Sequence, residues 1–254
     1  MNSEEKGVFT DIHTHLFPSV DDGAADIKTT LELARLAWEN GTGRLFLTPH
    51  FRRDSEIRPP EWYREAFQSV HSVVRERFPE LELYLGSEIA YEVDVPELLS
   101  EGKLLTMNGS EYVLLELHTG MNERSIVNAV YETVRCGFTP ILAHVERFEV
   151  FRKKKELTDK VIDNGALIQL NAESVMGKNG FLVKKFCHKL LKENKVHYIA
   201  SDAHDAIKRP PILRQCYKMV AKGYGTNTAN RLFYQNARIL FAEEEEIRIY
   251  EWHI

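Results

Sequence analysis

The sequence predicts an α/β fold, a closed or nearly closed barrel of parallel strands joined by helices. Three observations carry this: short apolar or alternating runs recur, segments of helical periodicity lie between them, and nearly every run exits into His, Glu or Asp. The runs are residues 8–12, 44–48, 81–86, 112–116, 139–143, 166–170 and 197–200, giving seven strand candidates. Residues 8–12 lead into His13-Thr14-His15, and the segment 27–40 that follows repeats apolar residues near the 3.6-residue period and stops at Asn40-Gly41. The run 44–48 gives way to Pro49-His50 and the helical segment 61–77; the run 81–86 gives way to Ser87-Glu88. The run 112–116 ends on Glu116 and precedes the helical segment 123–136, closed by Gly137. The run 139–143 delivers His144 ahead of the segment 157–164, which stops at Asn164-Gly165. The run 166–170 exits at Asn171 before the segment 181–193, and the run 197–200 exits at Asp202 and His204 before the segment 212–222. The spacing is even and no Ser/Gly/Pro-rich linker interrupts it, so residues 1–254 read as one domain. An open doubly wound sheet is the competing architecture, but it usually carries a Gly-rich phosphate loop where this chain has His13-Thr14-His15. The acidic run 243–246 reads as a solvated helix face.

Composition excludes several classes. With 43% hydrophobic and 28% charged residues in 254, the chain closes a substantial core, and a net charge of −5 implies no broad basic surface for duplex nucleic acid. The polar start of the chain has no hydrophobic signal region and no run is long enough to span a bilayer, so a cytoplasmic protein is expected, with no membrane insertion. Cys136, Cys187 and Cys216 are odd in number and far apart, which argues against a disulfide framework. None has an arginine six residues downstream, which removes the phosphatase loop built on a thiolate nucleophile.

The exit residues are the chemistry-bearing set: His13, His15, His50, Glu88, Glu116, His144, Asp202 and His204, with Asp22 in Asp21-Asp22-Gly23 available from the first loop. In a parallel barrel all strand C-termini lie on one face, so these groups converge. Residues i and i+2 of a strand point the same way, so His13 and His15 reach one ion. Converging carboxylates repel, and divalent cations offset that repulsion where neutral imidazoles do not. Mixed N/O donors suit Mn, Fe or Zn better than Ca, and eight donors are too many for one ion, so two or three ions are expected. Such clusters hold hydroxide between the metals as nucleophile, and the expected reaction is hydrolysis. Arg147, three residues after His144, and Arg209, in Arg209-Pro210-Pro211, offer guanidinium forks that match phosphate oxygens. Phosphate monoesters are the substrate class this combination favours. For these arginines the plain alternative is a structural salt bridge.

Together the motifs Asp11-Ile12-His13-Thr14-His15, Val20-Asp21-Asp22-Gly23, Thr48-Pro49-His50, Gly86-Ser87-Glu88-Ile89, Leu115-Glu116, Ala143-His144-Val145-Glu146-Arg147 and Ala200-Ser201-Asp202-Ala203-His204 with Arg209-Pro210-Pro211 resemble one family. It is the PHP superfamily of metallophosphatases, and within it the manganese-dependent protein tyrosine phosphatases of bacterial capsule and exopolysaccharide operons. The resemblance runs from Phe9 to Phe241. It implies a distorted TIM-like (β/α)7 barrel of PHP type with three divalent ions, Mn first, with Fe, Mg or Zn as alternatives. One ion would be held by His13, His15, Glu88 and Asp202, a second by Glu88, Glu116 and His144, and a third by Asp22, His50 and His204. Arg147 and Arg209 would grip the phosphoryl group, and the substrate would be the phosphorylated, tyrosine-rich tail of a cognate polysaccharide-export kinase. No general acid is assigned, because a phenolate leaves more easily than an alkoxide.

Two other functions compete: a small-molecule phosphatase such as histidinol phosphatase, and a metal-retaining regulator without catalysis. Several residues stand beside the main set. His118 would line the substrate cleft, Asp11 would orient a ligand, and Asn171 would hydrogen-bond a ligand or loop. Arg52, Arg53, Arg58 and Arg64, in a helical stretch 52–77, would either face an acidic phosphopeptide or be solvated. His71, His188, His197 and His253 read as structural.

Overall fold

A computed structural model of the protein describes residues 8–52 and 58–241; Arg53, the acidic run 243–246 and His253 lie outside them. Nine strands are present among the described residues: β1 Phe9–Asp11, β2 Thr42–Leu47, β3 His50–Phe51, β4 Glu82–Leu85, β5 Glu88–Ala90, β6 Tyr112–Glu116, β7 Thr139–Leu142, β8 Leu167–Asn171 and β9 Tyr198–Ala200. The helices are α1 Ile27–Glu39, α2 Pro60–Arg77, α3 Val95–Ser100, α4 Glu123–Arg135, α5 Glu149–Lys153, α6 Leu157–Asp163, α7 Ala172–Met176, α8 Phe181–Lys192, α9 Arg214–Tyr224 and α10 Thr226–Asn230.

Every strand pairing is parallel, in a sheet ordered β1-β2-β4 and a second ordered β3-β5-β6-β7-β8-β9. The nine strands make seven staves, because β2 continues into β3 across Thr48-Pro49 and β4 into β5 across Gly86-Ser87. Proline cannot donate to a ladder, so the stave breaks at Pro49. The break is spanned by Gly86 N–H to Leu47 O (2.9 Å) and Glu88 N–H to Pro49 O (3.0 Å). The last seam joins the exits of β1 and β9 through a Thr14–Ala203 bridge, with Asp202 N–H on His13 O (2.9 Å) and His15 N–H on Ala203 O (2.8 Å). The expected distorted barrel is therefore observed.

The helices cover the outside by the spacing that predicts them. α1 buries Thr30, Leu33, Ala34 and Ala37, and α4 buries Ile126, Ala129, Val130 and Thr133, one stripe each. Both are capped by side chains: Asp26 accepts from Thr29 N–H and Asn122 from Ser125 N–H. The expected segment 212–222 begins instead at Arg214, since Ile212 N–H turns back onto Pro210 O. The short helices α3, α5, α7 and α10 have too few turns to display a period.

Strand phase sets what fills the barrel. Ile12, Phe46, Leu114, Ile141, Tyr198 and Ala200 come from five staves yet form one cluster with Met107 and Leu240, which only the barrel interior allows. Their neighbours Leu45, Val113, Leu115, Leu142 and Ile199 pack outward against the helices. Two residues on from the inward Leu114 and Leu167 stand Glu116 and Gln169, so the interior turns from apolar to polar toward the strand C-termini.

Asp11, wholly buried, ties this seam by accepting from Ser201 N–H at 2.9 Å. Burial pushes its carboxyl up to about 6, against the opposing effect of the Ser201 hydrogen bonds. A carboxyl that holds its proton more tightly folded than unfolded contributes stability that is complete below the ordinary value of 3.8 and lost as pH rises through about 6. Asp11→Asn keeps an oxygen for Ser201 N–H without the charge. In urea denaturation of chelator-treated protein it is expected to exceed the wild type by about 2–3 kcal/mol near neutral pH. The gap should close as pH falls from about 6 toward 3.8; a gap independent of pH would remove Asp11 as the titrating group.

Candidate metal centre

At the C-terminal end of the staves, Nε2 of His13 and Nε2 of His15 lie 3.2 Å apart. Both have lone pairs there, because each ring spends its Nδ1–H elsewhere: His13 on Gln169 Oε1 (3.2 Å) and His15 on Asp21 Oδ2 (2.7 Å). Glu88 Oε2 stands 3.3 and 3.2 Å from these two nitrogens, and Asp202 Oδ1 stands 3.5 and 3.4 Å from them. His13, His15 and Glu88 thus present donors to one point, with Asp202 adjoining both imidazoles, all buried. A tetrahedral shell with ligands at about 2.1 Å has donor–donor edges of about 3.4 Å, so the spacing of His13, His15 and Glu88 fits one cation. Glu88 Oε2 is buried with no hydrogen bond, as is Nδ1 of His50, 2.9 Å away.

Two further groups adjoin the first. His144 Nε2 lies 2.7 Å from Glu88 Oε1 and 3.7 Å from Glu116 Oε1. Asp22 Oδ1 lies 3.4 Å from His50 Nε2 and 3.5 Å from His204 Nε2. Donor atoms of His15, Asp22, His50 and His204 lie within 4.8 Å of one another, as do those of His13, His15 and Glu88, of His50, Glu88 and Glu116, and of His13, His144 and Asp202, which sets Asp202 beside His144 as well as beside the expected His13. All nine expected ligands are therefore brought together, with Glu88 at the junction. His50 also meets the Glu88–Glu116 group, so its imidazole lies between two of the expected positions.

The electrostatics match a cation-binding pocket. Burial works against charge on Glu88, but His13, His144 and His15 outweigh it and hold the carboxyl well below its usual range. Burial likewise opposes protonation of His13, yet Glu88 and Asp202 raise it; the same contest raises His15. Protons are thus drawn to the atoms a metal would take. His204 is pushed down to about 4 by burial and by His15, which keeps its imidazole neutral as a ligand must be. Its Nδ1–H donates to Asp202 O at 3.0 Å, turning Nε2 toward Asp22.

Backbone geometry is spent on this site. His144 and Asp202 have φ of 35° and 55°, left-handed values that non-glycine residues adopt at a cost. Strand phase would point His144 outward with Leu142; the left-handed turn brings it inward. Gly23 has no alternative, since a Cβ there would sit 2.0 Å from His15 O. That close approach lays Asp21 and Asp22 over the imidazoles.

Arg147 Nη1 and Arg209 Nη2 converge on Asp202 Oδ2, at 3.4 and 2.6 Å, and both remain partly exposed. Arg52 corrects an expectation: it does not belong to a helix, since α2 begins at Pro60, and its guanidinium contacts Glu116 Oε2 (3.1 Å) and His50 Nε2 (3.0 Å). Arg58 stacks on Trp62, and Arg64 pairs with Glu61. His118 joins none of the donor groups and contacts Tyr91 O and Glu92 instead. Asn171 hydrogen-bonds a candidate ligand as expected, giving Nδ2–H to Asp202 Oδ2 at 2.7 Å.

Sequence reasoning missed Asp21 and Gln169. Asp21 accepts from His15, His50 N–H and Gly23 N–H, and these bonds overcome its burial and hold it down at about 2. Gln169 accepts from His13 Nδ1–H and His144 N–H and donates to Asn171 Oδ1, linking His13 to Asp202 through a buried relay. Its place two residues before Asn171 in the same strand was the available signal.

The family described as capsular polysaccharide synthesis, CpsB/CapC, matches residues 9–242. The chain belongs to this CpsB/CapC family. It is 30% identical over 233 residues to the tyrosine-protein phosphatase CpsB of Streptococcus agalactiae, covering 90% of this chain and 96% of that protein. Among solved structures, one from the pair YwqE of Bacillus subtilis and CpsB of Streptococcus pneumoniae, described as unique metal-dependent tyrosine phosphatases, superposes with a TM-score of 0.85. The identity is 28%, over 91% of this chain and 94% of that one. Histidinol phosphate phosphatase of Lactococcus lactis, solved with zinc, L-histidinol and phosphate, is 14% identical with a TM-score of 0.53 over 85% and 93% of the two chains, and shares the fold.

Gly23→Ala is expected to displace the Asp21-Asp22 loop of this CpsB/CapC chain, lowering bound metal by elemental analysis while far-UV circular dichroism stays unchanged; full metal content would contradict the account. Gln169→Leu is expected to weaken metal affinity about 10–100-fold in competition with a chelating dye, and unchanged affinity would mean that the relay does not orient His13.

Proposed function

We propose that the protein is a metal-dependent protein tyrosine phosphatase, acting on phosphotyrosine of a polysaccharide-export tyrosine kinase with three divalent ions, manganese first, as cofactor. The observation that carries it is the buried acceptor set in which the His13 and His15 Nε2 atoms lie 3.2 Å from each other and 3.2 to 3.5 Å from the carboxylates of Glu88 and Asp202, flanked by two partly exposed arginines on the outer oxygen of Asp202. In the proposed assignment the first ion is held by these four residues, the second by Glu88, Glu116 and His144, and the third by Asp22, His50 and His204.

When bound, divalent ions supply Lewis acidity and activate water for attack on phosphorus. The residues of the chain do the rest. Glu88 and Asp202 contribute the negative charge that retains the ions. Asp21, Gln169 and Asn171 fix the tautomers and orientation of the imidazoles and of Asp202. Arg147 and Arg209 bind phosphoryl oxygens by paired N–H groups and stabilise charge that grows in the transition state. Attack expels the tyrosine phenolate, which takes up a proton from water.

Cys187 and Cys216 do not suit a thiol route, since burial pushes both thiols well above their ordinary value, and the half-buried Cys136 ends α4 ahead of β7, at the end of the barrel away from the strand exits. Tyrosine specificity is favoured over histidinol phosphate because the relatives matched along almost their whole length carry the tyrosine phosphatase name. Among the described residues no helix is long and apolar enough to cross a membrane, and the proposed place of action is the cytoplasm.

Purified protein should contain about three ions per chain and hydrolyse a phosphotyrosine peptide. Chelation should abolish turnover, manganese restore it, and iodoacetamide leave it untouched. Arg147→Ala and Arg209→Ala should each lower kcat/KM about 10²–10³-fold. Preference for histidinol phosphate, or no phosphatase activity after manganese loading, would overturn the assignment.

A further inference from the structure

On the metal-bearing end of the barrel, a cavity of about 510 Å³ opens between the loops that follow β5 and β6. Its volume lies in the ~300–1,000 Å³ range of ligand pockets. Tyr91, Val93 and Met121 form apolar walls, and Glu92, His118 and Arg124 supply polar groups. The cavity shares a backbone seam with the metal centre: Ala90 is in register with Glu116, and Tyr91 N–H donates to Glu116 O at 2.8 Å. His118 stands two residues beyond Glu116, and two residues of chain reach at most about 7 Å. A peptide whose phosphotyrosine occupies the centre therefore meets this cavity with its adjacent residues.

Charge decides the kind of peptide. The cavity's carboxylate, Glu92, lies 3.4 Å from His118 Nε2, an imidazole that is charged only when protonated and that also hydrogen-bonds Tyr91 O. Arg52, Arg147 and Arg209 are held by Glu116 and Asp202. Arg124, exposed in the first turn of α4, has no acidic partner among the described residues. Apolar exposure is also concentrated on this end. Val93, Phe181, Leu182 and Ile207, exposed at 72% to 88%, all sit in segments entered from strand C-termini, while among the described residues the next most exposed large apolar side chain, Tyr131, is at 52%. Apolar groups left in water around a site mark an interaction surface.

We infer that this cavity is a docking subsite for the polypeptide flanking the phosphotyrosine, and that its occupant is acidic: a carboxylate against Arg124 and apolar stem atoms against Tyr91, Val93 and Met121. The inference rests on the phosphatase reading above. A folded partner and a second copy of this chain are different occupants, and neither explains an effect confined to the residues next to phosphotyrosine.

The test compares the manganese-loaded protein on p-nitrophenyl phosphate, which does not reach the cavity, with phosphotyrosine peptides carrying Glu or Lys two to three residues from phosphotyrosine on either side. The Glu peptide is expected to have a KM about fivefold lower than the Lys peptide, the effect of an exposed ion pair, and the difference should fade with added salt. Arg124→Glu should reverse the preference, with peptide kcat and p-nitrophenyl phosphate kinetics unchanged. Val93→Asp should raise KM for the Glu peptide in the same selective way. Equal KM for both peptides, or an Arg124→Glu effect shared by p-nitrophenyl phosphate, overturns the subsite alone. Failure of the wild type on every substrate overturns the phosphatase reading and the subsite with it.

Discussion

Buried electron-pair donors crowded around two imidazoles are the constraint on which the rest of this structure depends. Nε2 of His13 and His15 lie 3.2 Å apart and each faces Glu88 Oε2 and Asp202 Oδ1 at 3.2 to 3.5 Å, contacts that repel unless a positive charge stands among them. Holding them there requires rigid staves, fixed imidazole tautomers and two backbone residues with left-handed φ. None of these features has a purpose in an apolar barrel. Each is explained once the centre is filled by cations.

The barrel delivers this arrangement by changing character along its axis. Ile12, Phe46, Leu114, Ile141 and Tyr198 fill one end as an ordinary core. One strand period beyond Leu114 stands Glu116, and beyond the inward Leu167 stand Gln169 and, a further period on, Asn171. Desolvated by the core below and by the Asp21-Asp22 loop above, the carboxylates gain strength as ligands, because water does not compete for their charge. Along β6 and β8 apolar packing and polar chemistry are thus consecutive layers of one strand alternation, while His13 and His144 reach the site out of phase with the inward Ile12 and Ala143 and are tied to that layer by Gln169.

The parts of this design differ in how visible they are in sequence. Seven staves and six long helices were legible from periodicity, because each buries a stripe whose spacing repeats. Breaks at Pro49 and Gly86 were not, since they split a stave without changing its hydrophobic run. The nine convergent residues were legible because a parallel barrel collects all strand exits on one face. His144 would have been lost on phase alone, as its φ of 35° is a tertiary outcome. Arg52 was misread into a helix because its partners Glu116 and His50 are distant or geometrically hidden in sequence. Asp21 and Gln169 contact ligands rather than substrate, and a hydrogen bond between side chains 156 residues apart, such as His13 to Gln169, leaves no local pattern.

Asp202 explains how the two chemistries of the site stay in step. Its Oδ1 belongs to the donor set of His13 and His15, while Oδ2 receives Arg147, Arg209 and Asn171. One planar carboxylate therefore holds the cation site and the guanidiniums at a fixed offset, and the φ of 55° at Asp202 sets the plane. In the proposed reading, a phosphate drawn to the ions meets arginines that Asp202 has already oriented. Asp202 adjoins the imidazole donors through one oxygen and the guanidiniums through the other, and its burial at 1% exposure keeps water from competing for either contact.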